Sequence, residues 1–193
     1  MNFDGVIFDM DGTLIESHLD FTAIRAKLGI PMGLGIIESI DEMAPDQAES
    51  ARQHLREVEL ASVRLGRVMP GCHELLKAIK LASLPAALLT RNSAEAMAIA
   101  LDKIGADYFD ITWSREQGPI KPEPDGVLKA CKQMGIVPEK TLCVGDFHYD
   151  IIAANSAGAV SVLLSTDGVA EFADDADYVI ASLNELMEIL ALP

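Results

Sequence analysis

The chain has 193 residues, with 30 Asp and Glu against 15 Lys and Arg, so its formal net charge is −15 and its pI lies near 4.5. A hydrophobic fraction of 50% and a mean hydropathy of +0.23 exclude an acidic disordered chain, and the length suits one core domain carrying an insertion. The sign of the charge argues against nucleic acid and anionic lipid as partners, since both are bound through clustered Lys and Arg. A small anion is still admissible where local cations override the global field.

The start, Met1-Asn2-Phe3-Asp4-Gly5, carries neither a basic nor an apolar leader pattern. No run of about 18 apolar residues is present, so no membrane span is expected. Cys72, Cys131 and Cys143 show no C-x-x-C spacing. Reduced, buried thiols in a cytoplasmic protein are the expectation.

In chain order, short apolar runs predict strands at Gly5–Met10, Ala86–Thr90, Tyr108–Trp113, Thr141–Gly145, Ala159–Leu164 and Tyr178–Ile180. Between them, helical patterns run over Cys72–Ala82, Ala94–Ile104, Asp125–Met134, Asp150–Ala157 and Leu183–Leu190. The strand runs are continuously apolar rather than alternating, as in parallel strands covered on both faces. Strand–helix alternation then implies an open, doubly wound α/β sheet with right-handed crossovers.

One interval, Glu16–Met69, breaks the rhythm with no convincing strand. Phe21, Ile24 and Leu28 fall at helical spacing before Gly29; Ala51, Leu55, Val58, Ser62 and Leu65 do so before Gly66, with Pro45-Asp46 as a helix start. A structureless loop of that length is unusual in a compact domain. Residues 16–69 are therefore expected to form a small helical cap, inserted into a core made of 1–15 and 70–193.

The informative residues are acids at strand ends. Val6-Ile7-Phe8 runs into Asp9-Met10-Asp11-Gly12-Thr13, and Leu142-Cys143-Val144 into Gly145-Asp146, with Asp150 following. Ligands of open α/β sheets bind outside the carboxyl ends of strands, where strand order reverses. Four carboxylates converging there repel one another unless a cation intervenes. An all-oxygen ligand set suits a hard divalent ion, and Mg²⁺ is the natural choice because it also accepts phosphate oxygens. Thr90 ends the second strand just before Arg91-Asn92-Ser93 at a helix start, a place where a hydroxyl and free N–H groups suit an anion. Lys121, in Ile120-Lys121-Pro122-Glu123-Pro124, would supply fixed positive charge.

The succession Asp9-Met10-Asp11-Gly12-Thr13-Leu14, Thr90, Lys121-Pro122 and Gly145-Asp146…Asp150 resembles the haloacid dehalogenase superfamily, with all four motifs in order. The insertion after the first motif is similar to that of the helical-cap members related to phosphoglycolate phosphatase. That resemblance implies an Mg²⁺-dependent phosphatase acting on a small phosphorylated metabolite. In it, Asp9 would be the nucleophile and Asp11 the general acid, then base. Asp9, the backbone carbonyl of Asp11 and Asp146 would bind the metal, with Asp150 direct or through water. Thr90 and Lys121 would hold the phosphoryl oxygens. Asp11 speaks against carbon-attacking dehalogenases, which lack an acid at this second position. Phe147 departs from the family's fourth motif, where a small polar residue is common, and makes the cleft entrance more apolar.

Arg91 and Asn92 are further candidates for substrate contact, and Arg25 for reaching down from the cap to a second anionic group. Glu16 and Ser17 stand where the chain enters the cap; His148 stands inside the fourth motif, with a surface position expected. The acids between Asp167 and Asp177 read as solvated surface. Two other readings share these residues: a phosphomutase acting on a sugar phosphate, and a non-catalytic binding module that keeps the fold. A monomer or weak homodimer is expected.

Overall fold

A computed structural model describes residues 3–166, 168 and 171–192; Asp167, among the acids expected at the surface, lies outside them. Strands β1 (Gly5–Phe8), β2 (Ala86–Leu89), β3 (Ile111–Trp113), β4 (Thr141–Gly145), β5 (Val160–Leu164) and β6 (Tyr178–Ile180) form one sheet in the order β3-β2-β1-β4-β5-β6. Every pairing is parallel, with Phe8 opposite both Leu88 and Val144. The order turns between β1 and β4, which makes their carboxyl ends the crevice of a doubly wound sheet.

The strands are apolar on both sides because each side has a core to fill. Val6, Phe8, Leu88, Leu142 and Val144 face α4 (Cys72–Leu81), α5 (Ala94–Ile104) and α8 (Leu183–Ile189), whereas Ile7, Ala87, Leu89 and Cys143 face α6 (Asp125–Met134) and α7 (His148–Ala157). This two-residue alternation between two cores explains the unbroken apolar runs. All three cysteines are buried and free.

Three helices occupy the interval between β1 and α4: α1 (Phe21–Leu28), α2 (Ile36–Asp41) and α3 (Pro45–Leu65). Asp20 caps α1 by accepting from Ala23 N–H at 2.8 Å, and Gly29 ends it in the left-handed region. The two stems of this insertion run side by side. Glu16 N–H donates to Arg67 O at 2.8 Å and Met69 N–H to Leu14 O at 2.9 Å. Ile24, Ile36, Ile40, Ala51 and Leu55 form a separate apolar cluster, while Leu60 and Val63, further along α3, join the main core. One helix thus belongs to both bodies.

The structure departs from the sequence reading in four places. The short helix α2 has no strong periodicity and was not expected. Leu65, placed on the apolar stripe of α3, is 72% exposed; beside Ser62, which is buried as expected, the buried face carries Glu59, Leu60 and Val63. The third strand is shorter than Tyr108–Trp113 because residues 106–108 close a 3₁₀ turn first. Finally, α7 starts at His148, two residues before Asp150, which lengthens the fourth motif's turn into a helix start.

Candidate active site

β1 ends at Phe8, yet Asp9 still donates its backbone N–H to Val144 O at 2.8 Å. Its carboxylate therefore leaves the sheet between β1 and β4. Two glycines let the acids close in. Gly12 has φ +76°, and a Cβ there would overlap the Asp146 carboxylate; a Cβ on Gly145 would overlap that of Asp150. One oxygen from each of Asp9, Asp146 and Asp150 lies within 4.8 Å of the others.

Lys121 binds this group together. Its Nζ is 2.5 Å from Asp9 Oδ1 and 2.6 Å from Asp150 Oδ1, and it donates to Leu89 O at 2.9 Å. The residue is 8% exposed, so three protein acceptors replace water around the ammonium. Burial works to lower its pKa, but Asp150 and Asp9 outweigh burial and raise it. Asp150 is satisfied at both oxygens, since Oδ2 accepts from Phe147 N–H at 3.1 Å.

The carboxylates carry the opposite strain. Burial pushes Asp9 up to about 6, with Lys121 opposing and Asp150 adding. Asp146 is pushed up to about 8 by desolvation of its carboxylate and by Asp9 and Asp150, although the residue as a whole is exposed at the cleft. Three carboxylates, with no His or Cys among them, make a donor set suited to a hard divalent cation. Such a cation relieves the repulsion that raises Asp9 and Asp146, so the residues present fit a metal site.

Asp11 stands apart from that trio. Its Oδ2 accepts from Asn92 Nδ2, while Oδ1 is buried without a hydrogen-bond partner. Burial, then the charges of Asp9 and Glu59, pushes it up to about 8. Thr90 follows the end of β2 and is buried; its Oγ1 accepts from Asn92 N–H at 3.1 Å. Ser93 then caps α5 by accepting from Ala96 N–H at 3.3 Å. Lys121 thus joins Asp9 and Asp150 by direct contacts, with an Asp146 oxygen within 4.8 Å of theirs, while Asn92 links Asp11 to Thr90.

Arg91 is engaged elsewhere. Its guanidinium donates to Lys121 O and to both oxygens of Glu38 on α2, at 2.9 and 3.0 Å, and lies 4.7 Å from the centre of the Tyr149 ring. Arg25 is not brought to the site residues: it donates to Leu34 O at 3.2 Å and Phe21 O at 3.3 Å, within the insertion. Glu16 accepts from Arg67 N–H at 3.3 Å, at the paired stems. His148 stacks on Phe172 and meets Asp175 at 3.1 Å.

Sequence reasoning missed Glu59. It is 3% exposed, takes Arg115 Nη1 at 2.5 Å on Oε1, and leaves Oε2 buried without a partner. Its charge is felt by Asp11, which makes it the insertion's closest electrostatic link to the site. The available signal was its spacing, four residues after Leu55 on the buried face of α3. A groove of about 1060 Å³ between the insertion and the core is lined by Leu55, Arg56, Ser93 and Arg115, but by none of the four aspartates or Lys121.

The family model for haloacid dehalogenase-like hydrolases matches residues 3–158. The chain belongs to this family. A haloacid dehalogenase-like hydrolase domain-containing protein of Arabidopsis thaliana is 34% identical, covering 85% of this chain and 71% of its own. A phosphoglycolate phosphatase of Nitrosococcus oceani is 30% identical over 96% of each chain, and a pyrophosphatase PpaX of Halalkalibacterium halodurans 26% identical over nearly all of both. In fold, a hydrolase from Pseudomonas syringae superposes with a TM-score of 0.82 at 24% identity, covering 97% of this chain and 98% of its own. The chain is a phosphatase-type hydrolase with the haloacid dehalogenase fold, resembling the members related to phosphoglycolate phosphatase. Hydrolases of this family generally use a divalent metal, and the acid trio could hold one. Among the described residues, no helix is long and apolar enough to cross a membrane.

Proposed function

We propose that this haloacid dehalogenase-like hydrolase is an Mg²⁺-dependent phosphatase that cleaves a small phosphate monoester through a phospho-aspartyl intermediate. The observation that carries this reading is the contact of Lys121 Nζ with Asp9 Oδ1 at 2.5 Å inside a ring of carboxylates. Asp9 Oδ2 attacks phosphorus as the bond to the ester oxygen breaks, and Asp11 gives its proton to the departing alcohol. Water then attacks the aspartyl-phosphate, Asp11 takes the water's proton, and inorganic phosphate leaves with the Asp9 carboxylate restored.

The pKa ordering supports these roles. Asp11, pushed up to about 8, starts protonated at neutral pH, whereas Asp9, at about 6, is mostly ionised. Asn92 Nδ2 holds the Asp11 carboxylate in orientation. Thr90 Oγ1 and Lys121 Nζ bind the phosphoryl oxygens, Lys121 also steadying Asp9 between turnovers. Asp9, Asp146 and the Asp11 carbonyl would hold Mg²⁺, and Asp150, whose oxygens already accept from Lys121 and Phe147, would act through water. The ion supplies charge neutralisation for the incoming phosphoryl group.

Residues 16–69 serve as the cap in this reading, with paired stems at Leu14–Glu16 and Arg67–Met69 as the connection. Support comes from the separate apolar cluster of α1, α2 and the start of α3. Arg25, bonded within that body, contributes to its structure in the conformation described. Asp9→Asn tests the mechanism: turnover of a small phosphate monoester with Mg²⁺ is expected to fall about 10⁴-fold or more. Turnover within tenfold of the unmodified enzyme would remove Asp9 as nucleophile.

A further inference from the structure

One side of the site has a chemistry that phosphoryl transfer does not require. A cavity of about 630 Å³ opens on Asp146 and is lined by Phe147, Phe172 and Leu163, with Glu16 and Glu171 also facing it. Its size is that of a pocket for a small organic group. It meets the acid trio at Asp146 and the first motif at Gly12, whereas none of the trio lines the larger groove.

Phe147 directly follows Asp146 and is 49% exposed. Its backbone is fixed by the N–H bond to Asp150 Oδ2 at 3.1 Å. Its ring is fixed as well, edge-to-face with Tyr149 at 5.3 Å and 89°, and with Phe172 at 5.5 Å and 80°. Tyr149 in turn is covered by the Arg91 guanidinium, which Glu38 holds, and Phe172 stacks on His148 at 4.5 Å and 3°. An aromatic ring braced by two others, with half its surface open in a cavity that Asp146 also lines, is a preformed wall for another flat group. The charge is equally one-sided. Asp146 apart, since the metal would neutralise it, the charged residues among the described lining are Glu16 and Glu171, with no Lys or Arg, so a second anionic group is repelled there.

Resting on the phosphatase reading above, we propose that this pocket receives the leaving alcohol of the substrate, and that the alcohol carries a neutral or cationic aromatic ring packed against Phe147. The phosphoryl group then lies at Asp9 and Lys121. The ester oxygen departs with the Asp11 proton, and the ring leaves through the Phe147 side of the cleft.

Benzyl phosphate and ethyl phosphate separate ring binding from reactivity, because both release primary alkoxides of similar basicity. With Mg²⁺ present, the ratio of their kcat/KM values is expected to favour the benzyl ester by about tenfold, the scale of one well-packed aromatic contact. Phe147→Ala brings that ratio near one, and Phe147→Tyr, which keeps a ring face, retains most of it. A 4-carboxybenzyl ester is expected to be turned over more slowly than the benzyl ester, with the gap narrowing as salt is raised. A ratio near one in the unmodified enzyme, or one undiminished in Phe147→Ala, overturns the proposal while ethyl phosphate turnover leaves the phosphatase reading standing. Equal rates for the carboxylated and plain benzyl esters overturn its charge preference. Failure to turn over either simple ester overturns both readings together.

Discussion

The two bodies of this molecule hold their charges in different ways. In the core, Asp9 and Asp146, just past the ends of β1 and β4, meet Asp150 from the first turn of α7 and Lys121 from the loop before α6 within a few ångströms. The insertion is tied to the core by longer side chains: Arg115 to Glu59, Arg91 to Glu38, Arg56 to Glu95, and Lys103 to the carbonyls of Val63, Arg64 and Gly66. In the core, carboxylates crowd one another around a single buried ammonium, that of Lys121. Between the bodies, charges work as fasteners, and their worth depends on how deeply each is buried.

The sharpest test of that contrast is Arg115→Met. It leaves Glu59, 3% exposed, without its cation, and a stability loss of about 3–5 kcal/mol is expected in denaturant titration. Replacing both partners, as Glu59→Leu with Arg115→Met, is expected to recover most of that loss. A loss under 1 kcal/mol for the single change would show that this pair is no more than a surface contact.

Asn92→Ala probes the core side. It removes the donor to Asp11 Oδ2, and a fall in kcat of about two- to tenfold is expected, with KM little changed, the scale of one hydrogen bond to a neutral carboxyl group. A fall in kcat/KM carried wholly by KM would assign Asn92 to substrate binding instead.

Stability should report the acid cluster directly. Asp9 at about 6, and Asp11 and Asp146 at about 8, all lie above the usual value of 3.8. The folded, metal-free chain therefore binds more protons than the unfolded one between about pH 4 and 8, and these groups withdraw stability as pH rises through that window. In EDTA, Tm is expected to fall from pH 5 to pH 8, and the increase in Tm given by Mg²⁺ to grow over the same range. A metal-induced shift larger at pH 5 than at pH 8 would contradict the assignment of the Asp9 and Asp146 carboxylates to the metal.

The smallest effect is expected at Arg56, whose side chain and that of its partner Glu95 are 60% and 44% exposed. Arg56→Ala should leave stability almost unchanged in denaturant titration, because water and salt screen so exposed a pair. A marked loss would mean that the exposed fasteners, too, hold the insertion in place.

Much of the site could be read in the linear chain. An Asp placed after an unbroken apolar run has no reason to be there unless the strand ends at it, and two such places, with Thr90 and Lys121 at theirs, point to the fold and to the chemistry proposed for it. Strand and helix periodicity predicted the doubly wound sheet because each strand must serve two cores. The insertion was legible only as helices. Its short α2 lacks a repeat long enough to register, and Leu65 was misplaced because α3 leaves the insertion's cluster for the main core partway along, rotating the face that is buried.

What the amino-acid order alone determined, then, is the class of fold and the gathering of acids at two strand ends. Tertiary structure decided the partners: Asn92 on Asp11, Glu59 beneath the site with one oxygen unpaired, Arg91 drawn to Glu38, and the braced ring of Phe147 beside Asp146. The reason is physical. Strand ends are placed by local periodicity and backbone pairing, which a chain segment carries within itself, whereas side chains 53 to 81 positions apart meet only when the packing of separate bodies brings them together.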